Sequence, residues 1–245
     1  MTHRFYVAAA QLEGDGVMFS PAQVHQLRSV LRLRPGDQVH VFDGRAPQDR
    51  VVELLDGPRG RLVGEAAQAP EPRTRLVAYP ALLQRDKFET VLQKLTEVGV
   101  AAIAPVITAR SLPRAAPDAA RTERWCVILR EAAEQCGRGV VPALLPTVSF
   151  TEALRTSEGT RVVAYERVRQ HSLRDALASA PGHVSMFVGP EGGFAPEEAA
   201  CAERGGAALV TLGPRILRSE TASPLLAALV LYELGDLSWP HDAGS

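Results

Sequence analysis

The sequence predicts an α/β protein that begins with a small β-rich unit. From residue 75 onward, apolar runs of strand length alternate with helical patterns, which is typical of a mostly parallel sheet covered by helices. Before about residue 68, short apolar runs follow one another with turn residues between them, which indicates a meander that could close into a small barrel. The chain has 245 residues, 46% of them hydrophobic, which is enough for a small domain and a larger one.

The N-terminal unit is predicted to contain four strands and one helix. Ser20 and Pro21 suit the N-cap and the first position of a helix that continues to about residue 31. Pro70 and Pro72 extend the chain and supply no backbone donors, so residues 69–73 are the best candidate for a linker between domains at 1–68 and 74–245. The strands of this unit are expected at residues 4–7, 39–42, 51–55 and 61–64.

The C-terminal unit is predicted to alternate strands and helices. Ser223 and Pro224 suit the start of the last helix, where free amides and the helix dipole would favour an anionic group. The strands are expected at residues 76–82, 103–107, 162–165, 184–188 and 208–212. The helices are expected at residues 87–99, 118–136, 173–177, 196–204 and 222–235.

Two glycine-bearing segments are the strongest functional signal. Residues 189–194 read Gly-Pro-Glu-Gly-Gly-Phe, and residues 212–222 read Leu-Gly-Pro-Arg-Ile-Leu-Arg-Ser-Glu-Thr-Ala. Each follows an apolar strand and precedes a helix, so each lies at the carboxyl end of a strand, where open α/β sheets bind ligands. Arg218 and Glu220 stand in an otherwise apolar stretch, where unpaired charges would be costly. The two segments together therefore predict a ligand pocket.

Composition and missing motifs exclude several classes of function. A net charge of −1 argues against a nonspecific binder of polyanions, and only Lys87 and Lys94 are lysines among 27 basic residues. No GxGxxG or GxxxxGK[ST] motif is present, which disfavours a nucleotide-dependent α/β enzyme. Three widely spaced cysteines predict neither disulfides nor a metal site, and no apolar run is long enough to span a bilayer. We therefore expect a soluble cytoplasmic protein without a metal.

Several arginines are candidates for contacts to a substrate. Arg138 ends a long helix beside two glycines and could contact a substrate, or it could belong to an ion-paired solvated face. Arg110 follows the strand at 103–107 and could face the pocket or cap the sheet. The N-terminal unit offers candidate phosphate contacts that could equally be solvated surface charges. These are Arg4, Arg28, Arg32 and Arg34.

The two glycine-bearing segments resemble the signature of the bacterial 16S ribosomal RNA uracil-N3 methyltransferases, the small-subunit methyltransferase E type of the SPOUT superfamily. Further matching stretches lie at residues 4–7, 93–100, 108–111, 124–125 and 131–138. The resemblance implies a PUA-like RNA-binding barrel, a SPOUT domain with a deep trefoil knot at about 188–230, and a homodimer. It also implies S-adenosylmethionine as cofactor, with contacts from Val188, Gly189, Glu191, Gly192, Gly193, Leu212, Gly213, Ile216, Leu217 and Ala222.

The reaction that the resemblance implies is methylation of N3 of one specific uridine, uridine 1498 by family analogy, in the 16S ribosomal RNA of the small subunit. Glu220, Arg138 and Arg218 are the candidate catalytic residues. A carboxylate, Glu220 or Glu191, could take the N3 proton, or an arginine among Arg138, Arg110 and Arg218 could stabilise the uracil anion while water takes it. The alternatives are a SPOUT methyltransferase that acts on another base or a ribose 2′-OH, and a non-catalytic RNA-binding assembly factor.

Overall fold

The computed structural model describes residues 3–46, 48–84, 86–112, 114–168, 172–178 and 182–238. The chain divides into two compact units, one of Met1–Glu71 and Arg130–Val141, the other of Pro72–Leu129 and Pro142–Ser245. Residues 130–141, which the division into 1–68 and 74–245 assigns to the second domain, thus pack with the first unit. The domain limits remain a prediction about which segments fold independently.

The first unit is built on a six-stranded mixed sheet. Its strands are β1 (Arg4–Tyr6), β2 (Leu12–Glu13), β3 (Gly16–Met18), β4 (Gln38–Phe42), β5 (Gln48–Leu54) and β6 (Arg59–Ala67). They lie in the order β1-β4-β5-β6-β3-β2, with β1 parallel to β4 and the other pairs antiparallel. The pairing of the described residues leaves β1 and β2 as the two edges, so closure into a barrel stays a prediction.

The helix predicted near residue 21 begins where the sequence places it. Helix α1 (Pro21–His25) is capped by Ser20, whose hydroxyl accepts a hydrogen bond from the backbone N–H of Gln23 at 3.3 Å. It continues as one π-helical turn over Gln26–Val30. Arg32 then adopts a φ of 59° and ends the helical path. The short hairpin of β2 and β3 was not predicted, because strands of two and three residues are too short to show alternation.

Partly buried hydrogen bonds connect β1 to the segment 130–141 within the first unit. The guanidinium of Arg4 forms a salt bridge with Asp49 and donates to the carbonyls of Ala133 and Arg138. The backbone N–H of Tyr6 donates to Glu134, and burial raises the pKa of this carboxyl group. The first unit therefore depends on a segment that is distant in sequence.

The second unit is built on a parallel sheet, as predicted. Its strands are β7 (Arg75–Pro80), β8 (Ala102–Ile103), β9 (Val106–Ile107), β10 (Ala143–Leu144), β11 (Val148–Ser149), β12 (Thr160–Ala164), β13 (His183–Val188) and β14 (Ala208–Val210). Six of them form one parallel sheet in the order β10-β8-β7-β13-β12-β14, and β9 and β11 form a separate parallel pair. The fold class of the chain is α/β.

Six further helices are α2 (Lys87–Val98), α3 (Ala119–Cys136), α4 (Phe150–Thr156), α5 (Leu173–Leu177), α6 (Pro196–Arg204) and α7 (Ser219–Glu233). Helix α3 passes from the second unit into the first, because the boundary falls between Leu129 and Arg130. Helix α4 was not predicted. No helix among the described residues is long and apolar enough to cross a membrane.

Helices cover both faces of the parallel sheet. Tyr79 and Phe187 stack with ring centroids 4.6 Å apart and share a core cluster with residues of α4 and α6. The alternating positions, such as Ala78 and Met186, are also fully buried, and α7 packs against β7 and β13. A strand that is buried on both faces reads as a continuous apolar run, which is why β7 and β13 could be predicted.

Two sequence-based boundaries in this unit are wrong. The strand expected at 103–107 is divided at Pro105, so that β8 joins the large sheet and β9 pairs with β11. Proline lacks the backbone donor that a continuous inner strand needs. The last helix begins at Ser219 instead of residue 222, with Arg218 as its N-cap. Ser223 and Pro224 lie inside the helix, and the Ser223 hydroxyl donates to the carbonyl of Ser219 at 2.9 Å.

Candidate active site

A cavity of about 550 Å³ lies in the second unit, at the carboxyl ends of β12, β13 and β14. Both glycine-bearing segments contribute to its wall, together with the first turn of α7. All ten residues predicted to contact a cofactor line this one cavity. They are Val188, Gly189, Glu191, Gly192, Gly193, Leu212, Gly213, Ile216, Leu217 and Ala222.

The first segment forms a tight turn in which two glycines have close neighbours. The N–H of Gly193 donates to the carbonyl of Pro190 at 2.9 Å, and Gly193 has a φ of 66°. A Cβ on Gly189 would lie 3.1 Å from the backbone nitrogen of Phe194, and one on Gly193 would lie 3.2 Å from Oε1 of Glu166. Glycine therefore lets the backbone itself form the cavity wall.

The second segment is attached to the first through the start of α7. The buried hydroxyl of Ser219 donates to the carbonyl of Gly189 at 2.7 Å. Gly213 has a φ of 108°, and its N–H donates to the hydroxyl of Thr211 at 3.3 Å. Ile216 is 86% exposed although it lines the cavity. This rim therefore presents an apolar side chain to whatever enters the cavity.

Four charged side chains gather at the cavity wall. Nζ of Lys87 lies 3.3 Å from Oε1 of Glu191 and 3.9 Å from Oε1 of Glu220. Nη1 of Arg218 lies 4.0 Å from the same oxygen of Glu220, and the Arg218 side chain is 82% exposed. Oε2 of Glu220 is buried and accepts no hydrogen bond from the residues that the structure describes. One oxygen of Glu220 thus faces two cations, and the other is buried without a hydrogen-bond donor among the described residues.

Arg110 fastens the loop after β9 to the first segment. Its Nη1 donates to the carbonyl of Gly192 at 2.9 Å. Glu198 links the same two loops, because its carboxylate accepts from the N–H of Ala109 at 2.8 Å and from that of Ala195 at 2.9 Å. Arg110 therefore adjoins the cavity, where its contact supports the shape of the glycine loop.

The remaining predicted arginines belong to the first unit. Arg138 is only 5% exposed and pairs with Glu71, with Nη2 2.6 Å from Oε2. The guanidinium of Arg28 donates to the carbonyls of Leu33 and Leu55. Arg4 is engaged with Asp49 and two carbonyls, as described above, whereas Arg32 and Arg34 are exposed. The structure thus places Arg138 in a buried ion pair, outside the cavity lining.

Sequence reasoning missed several lining residues, among them Lys87, Tyr165 and Glu166. Tyr165 and Glu166 follow β12, so the rule that ligands bind at strand ends could have identified them. Lys87 begins α2, and a lysine at a helix start gives no local signal of a distant partner. Within the described part of the chain, no group of three or more His, Cys, Asp or Glu side chains could hold a metal ion.

Comparison with known proteins identifies the family. A family model described as an RNA methyltransferase domain matches residues 70–231. Ribosomal RNA small subunit methyltransferase E from Synechocystis is 32% identical over 239 residues, which cover 94% of this chain and 77% of the relative. The Bacillus subtilis protein of that name is 31% identical over 224 residues, which cover 86% of this chain and 88% of the relative.

Solved structures agree with these relatives. Ribosomal RNA small subunit methyltransferase E from Neisseria gonorrhoeae, bound to S-adenosyl methionine, has 32% identity and a TM-score of 0.83, over 96% of this chain and 98% of that chain. A Legionella pneumophila protein in complex with the bound cofactor SAM has 27% identity and a TM-score of 0.84, over 95% of this chain and 98% of that chain. The resemblance of the two glycine-bearing segments is thereby confirmed. This chain belongs to the ribosomal RNA small subunit methyltransferase E family of RNA methyltransferases.

Proposed function

We propose that this protein uses S-adenosylmethionine to methylate N3 of one specific uridine in the 16S ribosomal RNA of the small subunit. One observation carries the proposal: the ten residues that the family signature assigns to the cofactor converge on a single cavity. Two solved relatives hold S-adenosylmethionine, which supports the same cofactor here.

The cavity suits this cofactor in size and in chemistry. Its volume of about 550 Å³ is in the range of small-molecule sites. Val188, Leu212 and Leu217 supply apolar wall for an adenosyl group, and the glycine backbone at 189 and 193 supplies close polar contacts. These segments and Ala222 would hold the cofactor, which supplies an electrophilic methyl group when bound.

Glu220 is the residue best placed to take the N3 proton. Its Oε2 is buried without a protein donor among the described residues, so a ligand N–H would satisfy it. Glu191 is the weaker candidate because its Oε1 is already paired with Lys87. Arg218 is exposed beside Glu220 and can stabilise negative charge that develops on the uracil ring. The buried pair of Arg138 with Glu71 favours a structural role for Arg138.

RNA binding is proposed for the first unit, acting as a PUA-like barrel domain. Arg32 and Arg34 are exposed and free to approach phosphates, and Arg110 adds an exposed guanidinium beside the cavity. The donors of Arg4 and Arg28 are engaged with protein acceptors, so a phosphate contact from either would require exchange of those bonds. Because N3 lies on the Watson–Crick edge, the target base must be unpaired or flipped out.

Three further parts of the proposal concern the whole protein. Strand β14 is the edge strand next to β12, whereas α7 packs on β7 and β13. Residues 211–218 therefore run back past the end of β12, which supports a knot at about 188–230. Exposed Leu225 and Tyr232 on α7 are compatible with a homodimer, which sedimentation would detect. A ribosomal substrate implies a cytoplasmic enzyme.

The test uses small ribosomal subunits from a strain that lacks this methyltransferase. The purified protein and S-adenosylmethionine should restore a primer-extension stop at the target uridine, and nucleoside mass spectrometry should identify 3-methyluridine. A different methylated nucleoside would indicate another base or a ribose 2′-OH as the target. Absence of both methyl transfer and S-adenosylmethionine binding by calorimetry would reject the enzyme in favour of a non-catalytic assembly factor.

A further inference from the structure

Lys87 occupies a position that the composition of the chain makes unusual. It is one of two lysines among 27 basic residues, and it lines the cavity from the first position of α2. The other lysine, Lys94, lies on the same helix and pairs with Glu97 at 2.8 Å. The two side chains are 41% and 44% exposed, so they differ in their partners and hardly in their access to solvent.

The ammonium of Lys87 is shared by carboxylates from both glycine-bearing segments. Glu191 belongs to the first segment, and Glu220 lies in the second, in the first turn of α7. A compact ammonium can face two separate carboxylates, whereas a planar guanidinium is suited to bidentate pairing with one. The charge of Lys87 therefore connects the two walls of the cavity.

The two oxygens of the Glu220 carboxylate have different surroundings. Oε1 faces Lys87 and Arg218, while Oε2 has no donor from the described residues. Glu191, Glu166 and Arg215 are the other charged side chains in the cavity wall. Without Lys87, Glu220 and Glu191 would lack their shared cation, and their mutual repulsion would favour other orientations of Glu220.

We propose that Lys87 is a positioning residue: its ammonium, shared with Glu191, holds the carboxylate of Glu220 in the orientation from which it takes the N3 proton. This inference rests on the proposed function, since it assumes that Glu220 takes the N3 proton. Lys87 itself has no bond to make or break in the reaction.

A kinetic test compares Lys87→Met, Lys87→Arg and Lys94→Met. We expect Lys87→Met to lower kcat about tenfold, with the KM for S-adenosylmethionine changed less than about threefold. Lys87→Arg should recover part of the loss because it keeps the charge, and Lys94→Met should match the unaltered protein. A rise in KM at unchanged kcat would overturn the inference, because Lys87 would then bind the cofactor instead of positioning Glu220. Unchanged kinetics in Lys87→Met would also overturn it.

A second test needs neither cofactor nor RNA. The protein is acetylated with limiting acetic anhydride, and mass spectrometry follows both lysines. Glu220→Gln should speed the acetylation of Lys87 several-fold and leave Lys94 unchanged, because the Lys87 side chain loses a carboxylate neighbour that restrains it. Equal rates at Lys87 with and without Glu220 would overturn the contact. If the unaltered protein methylates no RNA of the subunit, the proposed function fails, and this inference fails with it. If the unaltered protein is active and Lys87→Met has the same kinetics, only the inference fails.

Discussion

At the scale of single residues, Glu220 combines burial with an unused acceptor. Its side chain is 18% exposed, two cations face Oε1, and Oε2 has no donor from the described residues. Burial without a partner is costly for a carboxylate, so the free oxygen points to a group that arrives with the substrate. The sequence suggested Glu220 because it is a charge in an apolar stretch. It could not reveal which oxygen is free, because that depends on Lys87 on another helix.

Glu220→Gln tests the role of this carboxylate in proton transfer. The amide is isosteric but cannot accept the N3 proton, so we expect kcat to fall by about 10²- to 10³-fold. The affinity for S-adenosylmethionine by calorimetry should change less than about threefold, since the shape of the cavity is retained. Glu233→Gln is the matched control on α7, where Glu233 pairs with Arg174 at 3.0 Å. Full activity of Glu220→Gln would remove this residue from the mechanism.

Gly189→Ala tests whether the cavity wall must be bare backbone. The added Cβ would lie 3.1 Å from the nitrogen and 3.2 Å from Cδ2 of Phe194, whose side chain is fully buried and cannot easily yield. We expect the affinity for S-adenosylmethionine to fall at least about tenfold, because the turn must shift. Gly64→Ala is the control, since its nearest neighbour would be 4.0 Å away. Wild-type affinity in Gly189→Ala would show that the turn is not part of the binding surface.

At the scale of helices and strands, the end of the last helix is fastened to the residues just before β7. The carboxylate of Asp236, just beyond α7, is 2% exposed and accepts from the backbone N–H groups of Arg73 and Thr74. Burial alone would raise the pKa of Asp236, but the hydrogen bonds from Thr74 and Arg73 outweigh it and hold the pKa below the ordinary value of 3.8. The ionised carboxylate therefore stabilises the folded second unit.

Asp236→Asn should lower the free energy of unfolding at pH 7 by about 1–3 kcal/mol. The substitution replaces one carboxylate oxygen by an NH₂ group, which would face a backbone N–H of Arg73 or Thr74 without forming a hydrogen bond. A lowered folded-state pKa contributes stability above the unfolded value and loses it as pH falls through the folded value. The difference between variant and parent should therefore shrink below pH 3.8. Urea unfolding of variant and parent at pH 7 and below pH 3.8 measures this difference. Glu152→Gln is the control, because Glu152 forms an exposed ion pair with Arg155. A difference that persists at low pH would contradict this explanation.

Elements with strong periodicity or caps could be predicted, whereas those that depend on tertiary context could not. Helix α2 ends at Gly99, whose φ of 114° suits glycine alone, and its position followed directly from the sequence. The apolar run at 103–107 gave no sign that its halves join different sheets. Ser223 and Pro224 resemble a helix start, but the turn before them is already helical, and its first residue, Ser219, is hydrogen-bonded to the carbonyl of Gly189 just after β13. A local pattern cannot show that contact.

At the scale of the whole molecule, the first unit is assembled from two separate stretches of chain. Residues 130–141 supply the carbonyls for Arg4, the carboxylate for Tyr6 and the guanidinium for Glu71. The two prolines predict a linker at 69–73, since composition can mark a break in the chain. Nothing in the sequence indicates that the end of a long helix returns to the first unit, because its periodicity continues unbroken through residue 136.

The isolated fragment 1–71 should therefore fail to fold cooperatively. It retains the sheet of the first unit but leaves Arg4, Tyr6 and Glu71 without their partners from 130–141. Each lost bond that leaves a buried polar group unsatisfied costs about 1–3 kcal/mol, and several such losses are comparable to the whole stability of a small domain. Thermal unfolding followed by circular dichroism should show a broad transition at low temperature. The matched control joins 130–141 to 1–71 through a Gly/Ser linker, which should sharpen the transition and raise its midpoint. A sharp transition in fragment 1–71 alone, unaffected by the added segment, would instead establish the N-terminal stretch as a self-sufficient domain.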